Sequence, residues 1–497
     1  MEMNVKRERL RFESLAADVS EQVAIEGECA LAGSMRDAVT ILSVQAQAHI
    51  TQTQTLEGRV AVKGRACFQV LYTQGDLTRI RAIETTCDFT HELSAPGAQA
   101  CMRVQARASV LETGGSAGSG RVMLRALLEL SAQVIDTREQ EALSGIQCAQ
   151  PLCLREQTVK IDVRQLLGEE TALVREEFDL PARLQIEGVL TATGTASVTD
   201  ITGGSGRVGV SGVIDVRVLH QNSQPGEALV ETVHELPFQV TLSAQLAEDA
   251  RPQAIAEVID VMADSILADK QRTMRVEAEV RVRLELCEQR SVPLLEDFYT
   301  TDGPLLEPQT AQIDVYACAQ GNEARESARI QATLPADAPP LDTVLAAFAQ
   351  PALSSLAPSG RRLGVEGVMN VTLVYLPVDS DIPFAVRTRE PFAMTFPVEA
   401  EEGVRAQVQA IECGVGPATS DRVELRCVLA LRTDQPSTRR VRIVTDVTER
   451  PEEKREHGFV LVWPAPGETR WDTARRLRVP QESLRPAGAS ALLAFRR

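Results

Sequence analysis

GRVAVKGRACFQVLY (58–72), GRVGVSGVIDVRVLH (206–220) and RRLGVEGVMNVTLVY (361–375) are three versions of one stretch. Gly64, Gly212 and Gly367 align, and eight residues after each stands Tyr72, His220 or Tyr375. In the first copy Val60, Val62, Ala66, Phe68, Val70 and Tyr72 share one face at period two. Ala61, Lys63, Arg65 and Gln69 take the other. An apolar face at that period marks a half-buried antiparallel strand. A glycine inside such a strand marks a bulge or a close approach to the backbone.

The likeness extends outward. Phe89, Phe238 and Phe392 follow the glycines at about the same distance, and each unit closes on another alternating run: 121–130, 272–286 and 422–432. The first two units also align upstream, 9–31 with 158–180 and 41–60 with 189–208, whereas the third begins more loosely at TAQIDV (310–315). A spacing of about 150 residues is domain-sized rather than that of a solenoid repeat. The sequence therefore predicts a mainly β chain of three tandem antiparallel β-sandwich or barrel-like domains at 1–150, 151–300 and 301–447. Helices are expected only at 163–175 and 341–350, and connecting segments near 137–157, 288–309 and 433–457. Residues 448–457 read as a charged, solvated linker. A last module occupies 458–497.

Composition narrows the function. The net charge is −17, from 52 basic and 69 acidic residues, which disfavours nucleic acid as a partner. No apolar run approaches the ~18 residues of a transmembrane helix, and MEMNVKRERLRFESL lacks the apolar core of a secretory signal. Synthesis in the cytoplasm is the expectation. The ten cysteines form no CxxC pair, so they are expected as buried thiols rather than metal ligands. GSGRVG (204–209) spells a dinucleotide fingerprint but runs into a strand, where it can offer no helix N-terminus to a pyrophosphate. No P-loop or GxSxG elbow is present. The five histidines show no metal-ligand spacing, and His220, standing where the sister units carry Tyr, reads as a half-buried ring on a sheet. No catalytic residue, metal site or cofactor is expected, and the protein reads as a non-enzyme.

The end of the chain has a different grammar. GFVLVW (458–463) is a short strand, PAPG (464–467) a turn, and Thr469 an N-cap answered by Asp472. Trp471, Ala474 and Leu477 make the inner stripe of a helix, Pro480 opens a second turn over 480–485, and ALLAF (491–495) is a final strand. This β-α-α-β order resembles the LysM module, with Pro466, Gly467, Glu468 (Asp in that family), Thr469, Trp471, Ala474 and Val479 on its pattern. The copy departs where Arg470, Thr473 and Arg478 replace the usual Leu, Ile and Gly, and where the segment before the last strand is short. That segment helps form the family's glycan groove. Residues 458–497 hold seven Arg and three acids, a basic end on an acidic chain, which suits docking on an acidic protein surface.

Tandem β-rich repeats followed by a LysM-like end resemble the SipL-type spore coat assembly proteins, the carriers being GRVAVKG, GRVGVSG and LGVEG with their following strands. The resemblance implies a protein of the mother-cell cytoplasm at the forespore surface, part of the spore coat. It would act as a non-enzymatic adaptor that docks on the coat's ATPase scaffold protein. The partner-binding residues implied are Pro466, Gly467, Glu468, Thr469, Trp471, Arg475 and Arg476. The alternative is a peptidoglycan- or cortex-binding protein whose LysM module takes glycan.

Overall fold

The alternating runs fold into strands that repeat one plan three times. The computed structural model describes residues 3–31, 39–118, 120–180, 184, 186–204, 206–222, 228–246, 252–268, 271–451, 458–487 and 491–496. The first unit holds β1 (Met3–Ala30), β2 (Val39–Leu56), β3 (Arg59–Gln74), β4 (Asp76–Ser94), β5 (Arg103–Gly118) and β6 (Arg121–Cys148). The second holds β7 (Leu152–Asp179), β8 (Ile186–Gly204), β9 (Arg207–Asn222), β10 (Leu229–Leu242), β11 (Pro252–Ala268) and β12 (Gln271–Thr300). The third holds β13 (Leu305–Thr333), β14 (Leu341–Ser359), β15 (Arg362–Pro377), β16 (Phe384–Phe396), β17 (Arg405–Ala418) and β18 (Arg422–Arg450). Each unit forms two three-stranded antiparallel sheets, one ordered first–sixth–fifth and the other second–third–fourth.

The quoted stretches are β3, β9 and β15, the central strands of the second–third–fourth sheets. Their apolar faces meet those of β6, β12 and β18. In the second unit Val208, Val210, Ile214, Val216 and Val218 pack with Met274, Val276, Ala278, Val280, Val282 and Leu284. Each buried Val, Leu, Ile or Met contributes about 1.5–3 kcal/mol over its exposed state, and these three cores are the largest such clusters.

Gly64, Gly212 and Gly367 serve the close approach that the sequence suggests. A Cβ on Gly212 would sit 2.3 Å from the Ser197 carbonyl oxygen and 2.4 Å from Phe238 Cζ. At Gly64 the obstacles are Phe89 and His49 O, and at Gly367 they are Phe392 and Ala352 O. Each glycine faces a bulge as well: the register skips Thr51, Thr199 and Ser354 on the neighbouring strand.

A second set of bulges builds contacts between units. The register skips Leu42, Leu190 and Leu345 at equivalent places. A bulge re-aims its side chain, and these three leucines leave their own cores for one shared cluster with Leu71, Ile80, Leu219, Leu229 and Val374.

The expected helices are strands. Residues 163–175 lie in β7 and 341–350 in β14. The bulges explain the misreading, because skipping Leu167, Asp342 or Leu345 shifts the two-residue alternation and imitates helical spacing. The expected connecting segments are also largely strand: 137–148, 288–300 and 433–450 extend β6, β12 and β18. There they pair with β1, β7 and β13 and meet in a hub. Ala142, Leu294 and Ile443 enter one hub cluster with Leu10, Phe12, Val159, Ile161, Ile313 and Val315. Leu143, Leu295 and Val444 enter a second with Ile146, Phe298 and Leu306. Skipped residues Ser144, Glu296 and Thr445 mark equivalent bulges beside these hub clusters.

Polar contacts join every pair of units. His49 and Arg281 meet Glu257 between the first and second, Arg107 meets Asp434 between the first and third, and Arg325 meets Asp215 between the second and third. The three units thus close on one another. Of the nine cysteines whose side chains the structure describes, only Cys427 is fully buried and Cys101 is exposed, so the expectation of buried thiols holds for one of them. His220 is more deeply buried than expected, with no exposed surface.

Of the charged linker, 448–450 belong to β18 and 452–457 lie outside the described residues, as does His457. The end of the chain forms β19 (Gly458–Val462), α1 (Arg470–Leu477), a 3₁₀ turn (Gln481–Ser483), β20 (Arg485–Pro486) and β21 (Leu492–Arg496). The three strands make one antiparallel sheet in the order β19–β21–β20.

Candidate functional site

The terminal module is built around a capped helix. Gly467 turns the chain at φ 82°, a conformation that favours glycine. Thr469 accepts the Asp472 amide, and the Asp472 carboxylate accepts the Thr469 amide at 2.9 Å, a capping box. The Thr469 hydroxyl, which donates to Asp472 Oδ2 at 2.6 Å, and then the Thr469 amide hold the Asp472 carboxyl below its ordinary range. Glu468 is held low as well, by the Arg476 guanidinium first and then by the Ala465 amide. Arg476 grips both Glu468 oxygens, at 2.9 and 3.2 Å.

One face of α1 carries Trp471, Ala474 and Leu477, which pack with Val460, Val462, Leu492 and Ala494 of the module's sheet. The same cluster takes in Tyr299, at the end of β12. The Tyr299 and Trp471 rings meet edge to face at 5.0 Å. The Tyr299 hydroxyl donates to Val479 O at 2.8 Å, and burial pushes its pKa well above the ordinary value. Asp297 Oδ2 accepts from Trp471 Nε1 at 2.8 Å and from Arg475 Nη1 at 2.9 Å. Arg478 donates to Thr300 O and Oγ1, both at 2.9 Å, and to Gly303 O at 2.8 Å. A buried carboxylate held by a cation and an indole N–H is satisfied rather than stranded.

The seven residues singled out in the sequence thus divide. Trp471, 8% exposed, and Arg475 face inward and hold the module on the second unit. Pro466, Gly467, Thr469 and Arg476 are exposed, and Glu468 lies beneath Arg476.

Sequence reasoning missed Asp297, Tyr299 and Thr300. They follow the β12 bulge, where the sister units carry Gly145, Gln147 and Cys148, or Asp446, Thr448 and Glu449. One signal was visible. Arg478 stands where the LysM pattern has glycine, and it adopts the left-handed conformation at φ 54°. That conformation costs a non-glycine residue about 1 kcal/mol, a cost offset here by the three hydrogen bonds to Thr300 and Gly303.

Among the described residues no group of His, Cys, Asp and Glu could hold a metal ion. No described helix is long and apolar enough to cross a membrane. What the geometry defines is a closed body of repeated β units bearing a small module in a seat of its own. Residues 37–113 match the family model described as SipL, SPOCS domain. That segment runs from just before β2 into β5, so it takes in the whole β2–β3–β4 sheet. The match supports a SipL-type spore coat protein with a coat-related role in sporulation. No curated protein and no solved structure matches the chain.

Proposed function

We propose that the chain is a non-enzymatic adaptor of spore coat assembly, made in the mother cell and acting at the forespore surface. Its body is the three β-sandwich domains, 1–150, 151–300 and 301–447, followed by a charged linker within 448–457 that begins after the end of β18. Its LysM-like module, 458–497, docks on the coat's ATPase scaffold protein. The observation that carries this reading is the SPOCS match at 37–113, on a plan that recurs twice more in the chain. The seat on β12 adds support, since Asp297 and Tyr299 set the module in one orientation on the body. In this reading Pro466, Gly467, Glu468, Thr469 and Arg476 belong to the partner-facing side, while Trp471 and Arg475 position it.

The test is co-purification of the full chain with purified coat scaffold protein. Wild type is expected to retain the scaffold, and Arg476→Glu to retain it at least about tenfold less, the factor that ~1.4 kcal/mol represents. Failure of the wild-type chain to hold the scaffold, with co-sedimentation on purified sacculi in its place, would return the module to glycan binding.

A further inference from the structure

The module's sheet has two faces, and the seat uses only one. Val460, Val462, Leu492 and Ala494 point toward α1 and Tyr299. Their neighbours alternate to the other side, as strand geometry requires. On β19 these are Phe459, 76% exposed, and Leu461, 47% exposed; Trp463, just beyond the strand, is 62% exposed. Leu493 pairs directly opposite Leu461. Among the side chains that the structure describes, no other Phe or Trp stands as far out of the protein as Phe459 and Trp463. Singly exposed apolar residues are ordinary, but a row of them on one face of a small sheet marks a contact surface.

Charge says what kind of partner fits. The three acids of the module, Glu468, Asp472 and Glu482, all lie in the helical layer. The strands of the sheet, Gly458–Val462, Arg485–Pro486 and Leu492–Arg496, contain Arg485 and Arg496 and no acid. Arg485 is exposed and pairs across the sheet with Leu493. Arg475 and Arg478 are already engaged by Asp297 and Thr300. Arg476 is paired with Glu468. On the sheet itself Arg485 is an exposed cation, and the described strand residues include no acid.

We propose that the outer face of this sheet, centred on Leu461 and Trp463 and bordered by Arg485, is a docking surface for an amphipathic, acidic segment of a partner protein. The partner's apolar face covers Leu461 and Trp463, and its carboxylates meet Arg485. This deepens the adaptor reading and rests on it. It adds to the capped turn at 466–476 a contact on the outer face of the sheet, which the seat leaves exposed.

The chain has two tryptophans, Trp463 exposed and Trp471 buried, so quenching by acrylamide reports on Trp463. The probe is a synthetic amphipathic helix of Leu and Glu, added to the full chain and compared with a Leu/Lys twin. Binding of the Leu/Glu peptide is expected to shift the exposed emission to the blue and to protect it from acrylamide. Leu461→Glu and Arg485→Glu are each expected to weaken it about tenfold or more, and added salt to weaken it further. An unchanged melting temperature in Leu461→Ser checks that the surface variants fold. Equal binding of the Leu/Lys twin, protection only by phosphatidylglycerol vesicles, or self-association of the chain that Leu461→Glu abolishes would each overturn the proposal.

The scaffold co-purification separates this from the adaptor reading. Scaffold retained equally by wild type and Leu461→Glu overturns the sheet face alone. Scaffold lost from wild type overturns the adaptor reading, and the peptide titration still decides the surface.

Discussion

Asp297 and Trp471 lie 174 residues apart in sequence, yet the buried carboxylate of one accepts the indole N–H of the other at 2.8 Å. The same oxygen takes Arg475, so one atom on β12 ties two successive turns of α1 to the body. Removing it strands a cation in a partly closed site. Breaking a buried pair costs about 3–5 kcal/mol, so Asp297→Ala is expected to release the module. The release is read as a red shift of Trp471 emission and faster amide exchange over 470–479. Asp297→Asn keeps an acceptor for the indole but no charge for Arg475, and is expected to fall between. Exchange in 470–479 unchanged in both variants would mean that Tyr299 and Arg478 hold the module without Asp297.

The glycine of each central strand makes a second prediction. A methyl at Gly212 meets Phe238, which can turn aside, and the Ser197 carbonyl at 2.3 Å, which cannot move without its strand. Gly212→Ala is therefore expected to cost about 3 kcal/mol, at the upper end for overpacking. The double variant with Phe238→Ala should recover only part of that loss in denaturant unfolding. Full recovery would put the obstruction in the ring rather than in the backbone.

How far the sequence carried follows from these two sites. The Gly–Phe pair was legible because it appears three times, 25 or 26 residues apart, and alternation in β9 and β12 pointed to the packed faces. The bulges were not. Skipping Leu345 or Leu167 breaks the period that the eye follows, and a helix fits the broken pattern better than a strand does. The hub was hidden for another reason. Residues 137–141 are mostly charged or polar, and they look like a solvated connection until β1 pairs with them. The capped turn and the inner stripe of α1 could be read locally. The seat on Asp297 could not, since nothing near residue 297 names its partner.

His220 predicts a pH response. The ring is fully buried where Tyr72 and Tyr375 stand in the sister units, and its Nδ1 finds no partner among the described residues. Burial first, and then neighbouring His234, lowers its pKa to about 4. A histidine depressed in the folded state binds its proton more readily when unfolded. Stability is thus full above the unfolded pKa near 6.5 and falls as pH drops toward 4. The shift corresponds to a loss of up to about 3 kcal/mol. His220→Phe is expected to flatten unfolding free energy between pH 6.5 and 4 relative to wild type. An equal slope in both proteins would assign the response to other groups.

Glu257 joins two units and titrates in the opposite sense. It accepts His49 Nδ1 at 2.9 Å and Arg281 Nη2 at 2.7 Å, so a side chain of β11 grips both β2 of the first unit and its own neighbour β12. Burial raises its pKa, but hydrogen bonds from His49 and then Arg281, with their charges, outweigh it and bring the value to about 2. A depressed carboxylate stabilises the fold above its unfolded value of 4.5, and that contribution drains away as pH falls through 2. Solvent reaches 42% of the side chain, so screening cuts the full shift to about 1 kcal/mol. Glu257→Gln is expected to be less stable than wild type by that amount at pH 6, with the two converging as pH falls toward 2. Arg281 also donates to Ile50 O, so part of the contact between units survives the change. A constant difference between the two proteins from pH 6 to 2 would mean that the Glu257→Gln substitution removes packing rather than charge.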